Sequence, residues 1–267
     1  MQLSYQGKSG DAVPVHGGFT MTLSISGPDA LTRQLRSSNA LLALQDFRVE
    51  GNGRRTVPEA KDTETAVRML FERAQVNGTF NSRPFRFGFD QAAPPSDETQ
   101  DQLEKICWAL GMGGRSYKLA SDGQYTTGDA NADAHGEALA VVIDAAVRLP
   151  AGTVQPGHEW TSDWVGVRKQ KDSGATFRYH QVARLERLEN GSTPTARISF
   201  VTTAKLEFPP ERGPAREETM LEGRGVVVLD LATGLPASTE SSGTITTQLK
   251  AAGLKLVRVI TSKYEAR

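Results

Sequence analysis

The side chains best suited to chemistry stand together in one short stretch. VQPGHEWTSDW places His158 and Glu159 directly before Trp160, with Trp164 four residues on and Pro156-Gly157 ahead of them. A histidine beside a carboxylate suits metal ligation or acid–base work next to aromatic walls. Neighbours along an extended chain point to opposite faces, however, so His158 and Glu159 cannot both ligate one metal without a bulge. Trp160 and Trp164, at i and i+4, share one strand face with Ser162. The structural reading of that spacing is a pair of large rings filling the concave side of a curved sheet. The functional reading is a wall for an apolar ligand, since a half-closed sheet often leaves a cavity on that side. Phe177 and Phe200, on the strands that follow, complete the candidate ligand-binding set of Trp160, Trp164, Phe177 and Phe200.

The remaining reactive groups are scattered. His16, His135 and His180 form no H-x-H or H-x-x-x-H unit and there is no cysteine pair, so neither a metal site nor a cofactor is expected. His135 precedes a helix and His180 stands in FRYHQV opposite in face to Tyr179; both read as solvent-facing. The single Cys107 cannot close an internal disulfide, and its neighbours in LEKICWALGMG are apolar at helical spacing. It reads as a buried small hydrophobe rather than a nucleophile. No G-x-S-x-G elbow occurs, and Ser173, Ser192 and Ser238 lie in or near turns, where serine bonds locally. GMGGRS (111–116) lacks the strand, helix and Lys-Ser/Thr of a phosphate loop and reads as a helix stop and hairpin entry. Asn77-Gly78-Thr79 and Asn190-Gly191-Ser192 match glycosylation sequons, and each also reads as a hairpin turn. No catalytic residue is assigned.

Elements that would position these residues are mostly strands. GGFTMTLSISG alternates Phe19, Met21, Leu23 and Ile25 against Thr and Ser, a period of two. LLALQDFRVEGNG is expected as a second strand and TFNSRPFRFGFD as another, with Phe85, Phe87 and Phe89 on one side. ETAVRMLFERAQVNG fits helix and strand alike. Two helices follow: DETQDQLEKICWALG, capped by Ser96 and striped with Leu103, Ile106, Cys107 and Leu110, and AHGEALAVVIDAAVRLP, closed by Pro150 with Ala138, Val141, Val142, Ala145 and Ala146 buried. Between them SYKLASDGQYTT reads as a hairpin around Asp122-Gly123. Six long strands come after Pro150, separated by KDSG, ENGSTP, PPERGP, ATG and KAAG. Short loops between long strands imply antiparallel neighbours. The expected class is therefore α+β, mainly β: a large curved antiparallel sheet, meander-like and half-barrel-like, with about two helices packed on it.

Composition bounds the function. The 267 residues suit a single β-rich domain, with sub-lobes 1–130 and 131–267 as the alternative division. Lys+Arg and Asp+Glu are equal at 31 each, which argues against nucleic acid and against a polybasic membrane anchor. No apolar run approaches a transmembrane span. MQLSYQGKSGDAVP has neither the basic region nor the apolar core of a signal peptide, so the expectation is a cytosolic chain or a mature one already processed.

LPAGTVQPGHEWTSDW resembles the LP..V..G..W segment of an uncharacterised family of bacterial β-rich envelope proteins, described only as a domain of unknown function. RLERLENGSTPTARISF is similar to that family's hairpin of two long strands, and GRGVVVLDLATGLPASTESSGTITTQ to its G.G...D..tG hairpin. The resemblance covers residues 115–264 and implies that ETAVRMLFERAQVNG is a strand and that the protein is extracytoplasmic, in the periplasm or envelope. Family sheets look similar to the half-barrels of periplasmic lipid and lipoprotein carriers. Three functional expectations follow: a non-catalytic envelope protein binding a lipid or other apolar molecule in its concave sheet; a structural or protein-interaction module with a filled core, meeting an envelope partner through an edge strand; and, least supported, a hydrolase.

Overall fold

Long alternating stretches broken by short turns build strands that pair with their chain neighbours. The computed structural model describes residues 1–38, 40–61, 64–109, 115–122, 124–127, 134–166, 175–208 and 217–266. In chain order the elements are β1 (Ala12–Ser26), α1 (Asp29–Ser38), α2 (Ala40–Ala43), β2 (Leu44–Lys61), β3 (Glu64–Phe80), β4 (Arg83–Asp90), α3 (Glu98–Ala109), β5 (Arg115–Ala120), β6 (Tyr125–Thr127) and α4 (Ala134–Ile143). The six strands of the second half are β7 (Glu159–Val165), β8 (Thr176–Glu189), β9 (Thr195–Glu207), β10 (Glu218–Asp230), β11 (Leu235–Leu249) and β12 (Leu254–Ala266).

All twelve strands join one sheet in the order β6-β5-β3-β2-β1-β12-β11-β10-β9-β8-β7, with β4 pairing β3 beside this path. Every pairing is antiparallel. The two ends, β6 and β7, do not pair with each other, so the sheet stays open. The mainly β, antiparallel, helix-decorated class read from the sequence is the class observed.

One face carries the core. The period of two sets which residues point there: Phe177, Tyr179, Gln181, Ala183 and Leu185 on β8, Ala196, Ile198 and Phe200 on β9, and Phe19 and Met21 on β1 are all buried. The expected buried side of the second helix is also observed, since Ala138, Val141, Val142, Ala145 and Ala146 are all buried in the same cluster. α4 lies against β11, β12, β10 and β8 on this face.

Several local expectations need correction. Asp29–Ser38 is helical, and Ala40–Ala43 is helical before β2 begins, where a strand was expected from Leu41. The hairpin turn after β3 is Asn81-Ser82, both at positive φ (49° and 64°), a two-residue turn of the type that matches strand twist. Asn77-Gly78 instead lies inside β3, paired to β2 and β4. TFNSRPFRFGFD is therefore a strand end, a turn and a new strand. Asp97, not Ser96, caps α3: its Oδ1 accepts the Gln100 N–H at 2.8 Å. α4 ends at Ile143, well short of Pro150. The N–H of Ala146 reaches Val141 O and that of Ala145 reaches Val142 O, the paired bonds of a Schellman ending. Ala145 takes the left-handed conformation (φ 49°) that glycine usually holds, so no glycine marks the stop in the sequence. The side chains of Ile106, Cys107, Leu110 and His135 and the GMGG stretch lie outside the described residues.

Candidate functional site

The four residues singled out for ligand binding come to the core face of adjoining strands. Register places Trp160 opposite Ala183, and Ala183 opposite Phe200, in one row across β7, β8 and β9. A second row holds Trp164, Tyr179 and Ala204, and a third pairs Phe177 with Leu206. Trp164 stacks on Tyr179 with centroids 4.8 Å apart and planes 7° from parallel. Phe177 stands 5.9 Å from the same tyrosine ring. Trp164 and Phe177 therefore gather around Tyr179, which the alternation of β8 could have nominated from the sequence, while Trp160 stands two rows away, opposite Ala183. Phe200 sits farther across the sheet, its ring tip 2.8 Å from where a Cβ on Gly225 would lie.

These rings are engaged. Phe177 is 1% exposed, Phe200 6% and Trp160 9%, while Trp164 at the β7 edge is half-buried. The Trp160 indole N–H donates to Arg148 O at 2.8 Å, and the Arg148 guanidinium carbon lies 5.4 Å from the Trp164 ring centre. His158 meets Trp160 edge-on at 6.5 Å. His158 and Glu159 are both exposed beside the turn, where Gly157 and His158 share Leu185 as backbone partner.

The core face between these rows and β1 is occupied by the end of α4. Ser262 Oγ donates to Ile143 O at 2.7 Å, Ser241 Oγ donates to Val142 O, and the two hydroxyls lie 2.9 Å apart. Gln181 is fully buried. Its amide N–H groups donate to Ala146 O at 2.9 Å and Thr202 Oγ1 at 2.8 Å, and its Oε1 accepts the Arg148 N–H at 2.8 Å. A Cβ on Gly243 would sit 2.9 Å from a Val142 methyl, so glycine there lets the helix settle on the sheet. Buried polar groups need such partners. Ser241, Ser262 and Gln181 give no signal in the sequence, because their partners are backbone carbonyls far along the chain.

The opposite face carries a broad open trough of ≈ 860 Å³ across β2, β1, β12, β11, β10 and β9, lined by Val201 and Val226 as well as by polar groups. Its floor is small residues such as Gly18, Ser242 and Ser199, and its walls carry Arg48, Glu50, Arg224, Glu240, Lys263 and Glu265. Acid and base are interleaved: Arg48 bonds Glu50 at 2.7 Å and Lys263 bonds Glu265 at 3.3 Å. A smaller cleft of ≈ 20 Å³ includes Arg55, Tyr117, Asp144 and Tyr264, room for about one water. Burial pushes the Arg55 guanidinium below its usual range, and Tyr117, Asp230 and Asp11 push it back up. Its Nη1 donates to Pro236 O.

Among the described residues, no group of three or more His, Cys, Asp or Glu is arranged to hold a metal ion. His180 bonds exposed Asp163 at 2.8 Å on the outer face, and His16 bonds Asn52 at 2.9 Å. No described helix is long and apolar enough to cross a membrane. Scanned against protein-family models the chain finds no match, and a search of curated proteins finds no relative.

Proposed function

We propose that this chain is a non-catalytic, envelope-associated interaction module: a rigid open sheet with a filled core that meets another protein. The observation that supports this reading is α4 itself. Val141, Val142 and Ile143 are at most 4% exposed, and the carbonyls at the end of the helix are taken by Ser241, Ser262 and Gln181. An apolar ligand seated between α4 and the sheet would have to displace those bonds and leave buried polar groups unpaired, at about 1–3 kcal/mol each. Trp160, Trp164, Phe177 and Phe200 then serve as packed anchors of the sheet. Envelope location rests on the sequence resemblance alone.

The test is solvent extraction of natively purified protein, with mass spectrometry of the extract and of the intact chain. A clean extract is the expected result. A stoichiometric lipid or other apolar molecule overturns the filled-core reading and makes the protein a carrier whose α4 yields to its cargo. Cell fractionation with an antibody checks the envelope location.

A further inference from the structure

Among the described residues the sheet closes at neither end, and β7 has a strand neighbour on one side only. Gly166 N–H donates to Phe177 O at 2.8 Å just past β7. In an antiparallel pair, alternate residues turn their backbone groups toward the neighbour. The register then makes Trp160, Ser162 and Trp164 the residues bonded to β8. The N–H and C=O of Glu159, Thr161, Asp163 and Val165 point the other way, and among the described residues β7 pairs with β8 alone. Four consecutive odd positions thus offer a ladder for one extended segment.

Side chains set what that segment must be. On the outer face the odd positions are all exposed, with Asp163 73% and Val165 50% so. They carry two carboxylates and no cation, since β7 reads EWTSDWV; on the β8 side Glu159 stands opposite Arg184 and Asp163 bonds His180, and their other side faces the free edge. A second copy of the strand would bring two more carboxylates and no cation to the junction, and like charges across a pair destabilise it. On the inner face Trp164 is the last ring of the Tyr179 stack and remains half-buried at the open edge. An apolar side chain in the next strand would stand beside it and cover it.

We infer that β7 is a docking edge for an extended segment of another protein that alternates Lys or Arg on the outer face with apolar residues on the inner face. The inference rests on the interaction-module reading and names its partner class. The carboxylates do double duty: they oppose self-pairing and select a basic partner.

The test uses the full chain and capped eight-residue peptides. One alternates lysine with valine; a second alternates glutamate with valine. Binding is followed by amide chemical shifts of Glu159–Val165 and by tryptophan fluorescence. The lysine peptide is expected to bind about tenfold or more tightly than the glutamate peptide and to weaken as salt rises. The variant E159K/D163K, changed only at exposed positions, is expected to reverse the preference. Thr161→Pro removes an N–H that points away from β8, and proline is tolerated at such edge positions; this variant is expected to lose binding while keeping its melting temperature. Equal binding of both peptides, an unchanged preference in the reversed variant, or shifts confined to other strands overturns the inference. A dimer in sedimentation velocity that Thr161→Pro dissolves overturns it too, in favour of a second copy. With a clean solvent extract any of these failures leaves the filled-core reading standing; a bound lipid removes that reading whatever the peptides do.

Discussion

Ser262→Ala probes the attachment of α4 more sharply than any change in the helix. The Ser262 hydroxyl donates to Ile143 O at 2.7 Å and lies 2.9 Å from Ser241 Oγ, with both serines at most 5% exposed. Ile143 O has Ser262 as its described partner, so alanine strands a buried carbonyl, at about 1–3 kcal/mol. Ser241→Ala should cost less. Its target, Val142 O, also accepts the Ala145 N–H at 3.1 Å and keeps that bond. A typical single hydrogen bond, about 1 kcal/mol, is the expected loss. The double variant should fall short of the sum by at least about 0.5 kcal/mol, because the hydroxyls lie in contact and hold the same helix end. Urea unfolding midpoints give the ranking, and hydrogen exchange at the amides of Asp144–Ala146 should accelerate in Ser262→Ala before global unfolding does. Equal costs for the two serines, or costs under about 0.5 kcal/mol with strict additivity, would refute the claim that these carbonyls are buried and held by the sheet.

Other outcomes follow from the same geometry. Trp160→Phe keeps most of the buried ring but drops the N–H bonded to Arg148 O; a loss of about 1–3 kcal/mol is expected in urea unfolding, larger than that of Trp160→Phe in a background where Arg148 is already displaced. Gly225→Ala would drive a methyl within 2.5 Å of Glu240 O and 2.8 Å of the Phe200 ring, so the strand must shift and the melting temperature should fall, with about 1–3 kcal/mol lost. Burial, with Tyr117 nearby, raises the Tyr5 phenol far above its ordinary value near pH 10. A raised folded value means the protein holds its stability below that pH and loses it as pH climbs beyond; Tyr5→Phe should therefore move the onset of alkaline unfolding upward, checked by far-ultraviolet circular dichroism. The Arg178 guanidinium lowers the Glu207 carboxyl below its usual range; Arg178→Ala should return it toward the ordinary value, so that the pair's small contribution, lost in the native protein as pH falls through the lowered value, disappears. Carbon-detected titration of Glu207 reads this directly.

The six strands after Pro150 were legible because each alternates cleanly and each ends in turn chemistry, so their local signals and their pairing agree. The observed bounds of β8, β9, β10, β11 and β12 lie within two residues of ATFRYHQVARLERL, TARISFVTTAKLEF, MLEGRGVVVLDL, PASTESSGTITTQL and LKLVRVITSKYE, the stretches that read as strands in the sequence. The buried stripe of α4 was legible for the same reason: Ala138, Val141 and Val142 recur at helical spacing. The shared face of Trp160 and Trp164 followed from the two-residue period alone. What the period does not carry is the identity of whatever meets that face. Tyr179 stacking on Trp164, the Arg148 carbonyl under Trp160, and serines from β11 and β12 ending α4 join positions tens to more than a hundred residues apart. The Ala145 stop is another such case, since a left-handed alanine is held by its surroundings rather than announced by its own propensity. Residue types and their spacing decided which elements form and which side of each is apolar, because both are local properties of the chain. Only the tertiary structure decided that the core face is covered by the chain's own helix and that, among the described residues, β7 pairs on one side only, because both depend on which distant segments share one sheet.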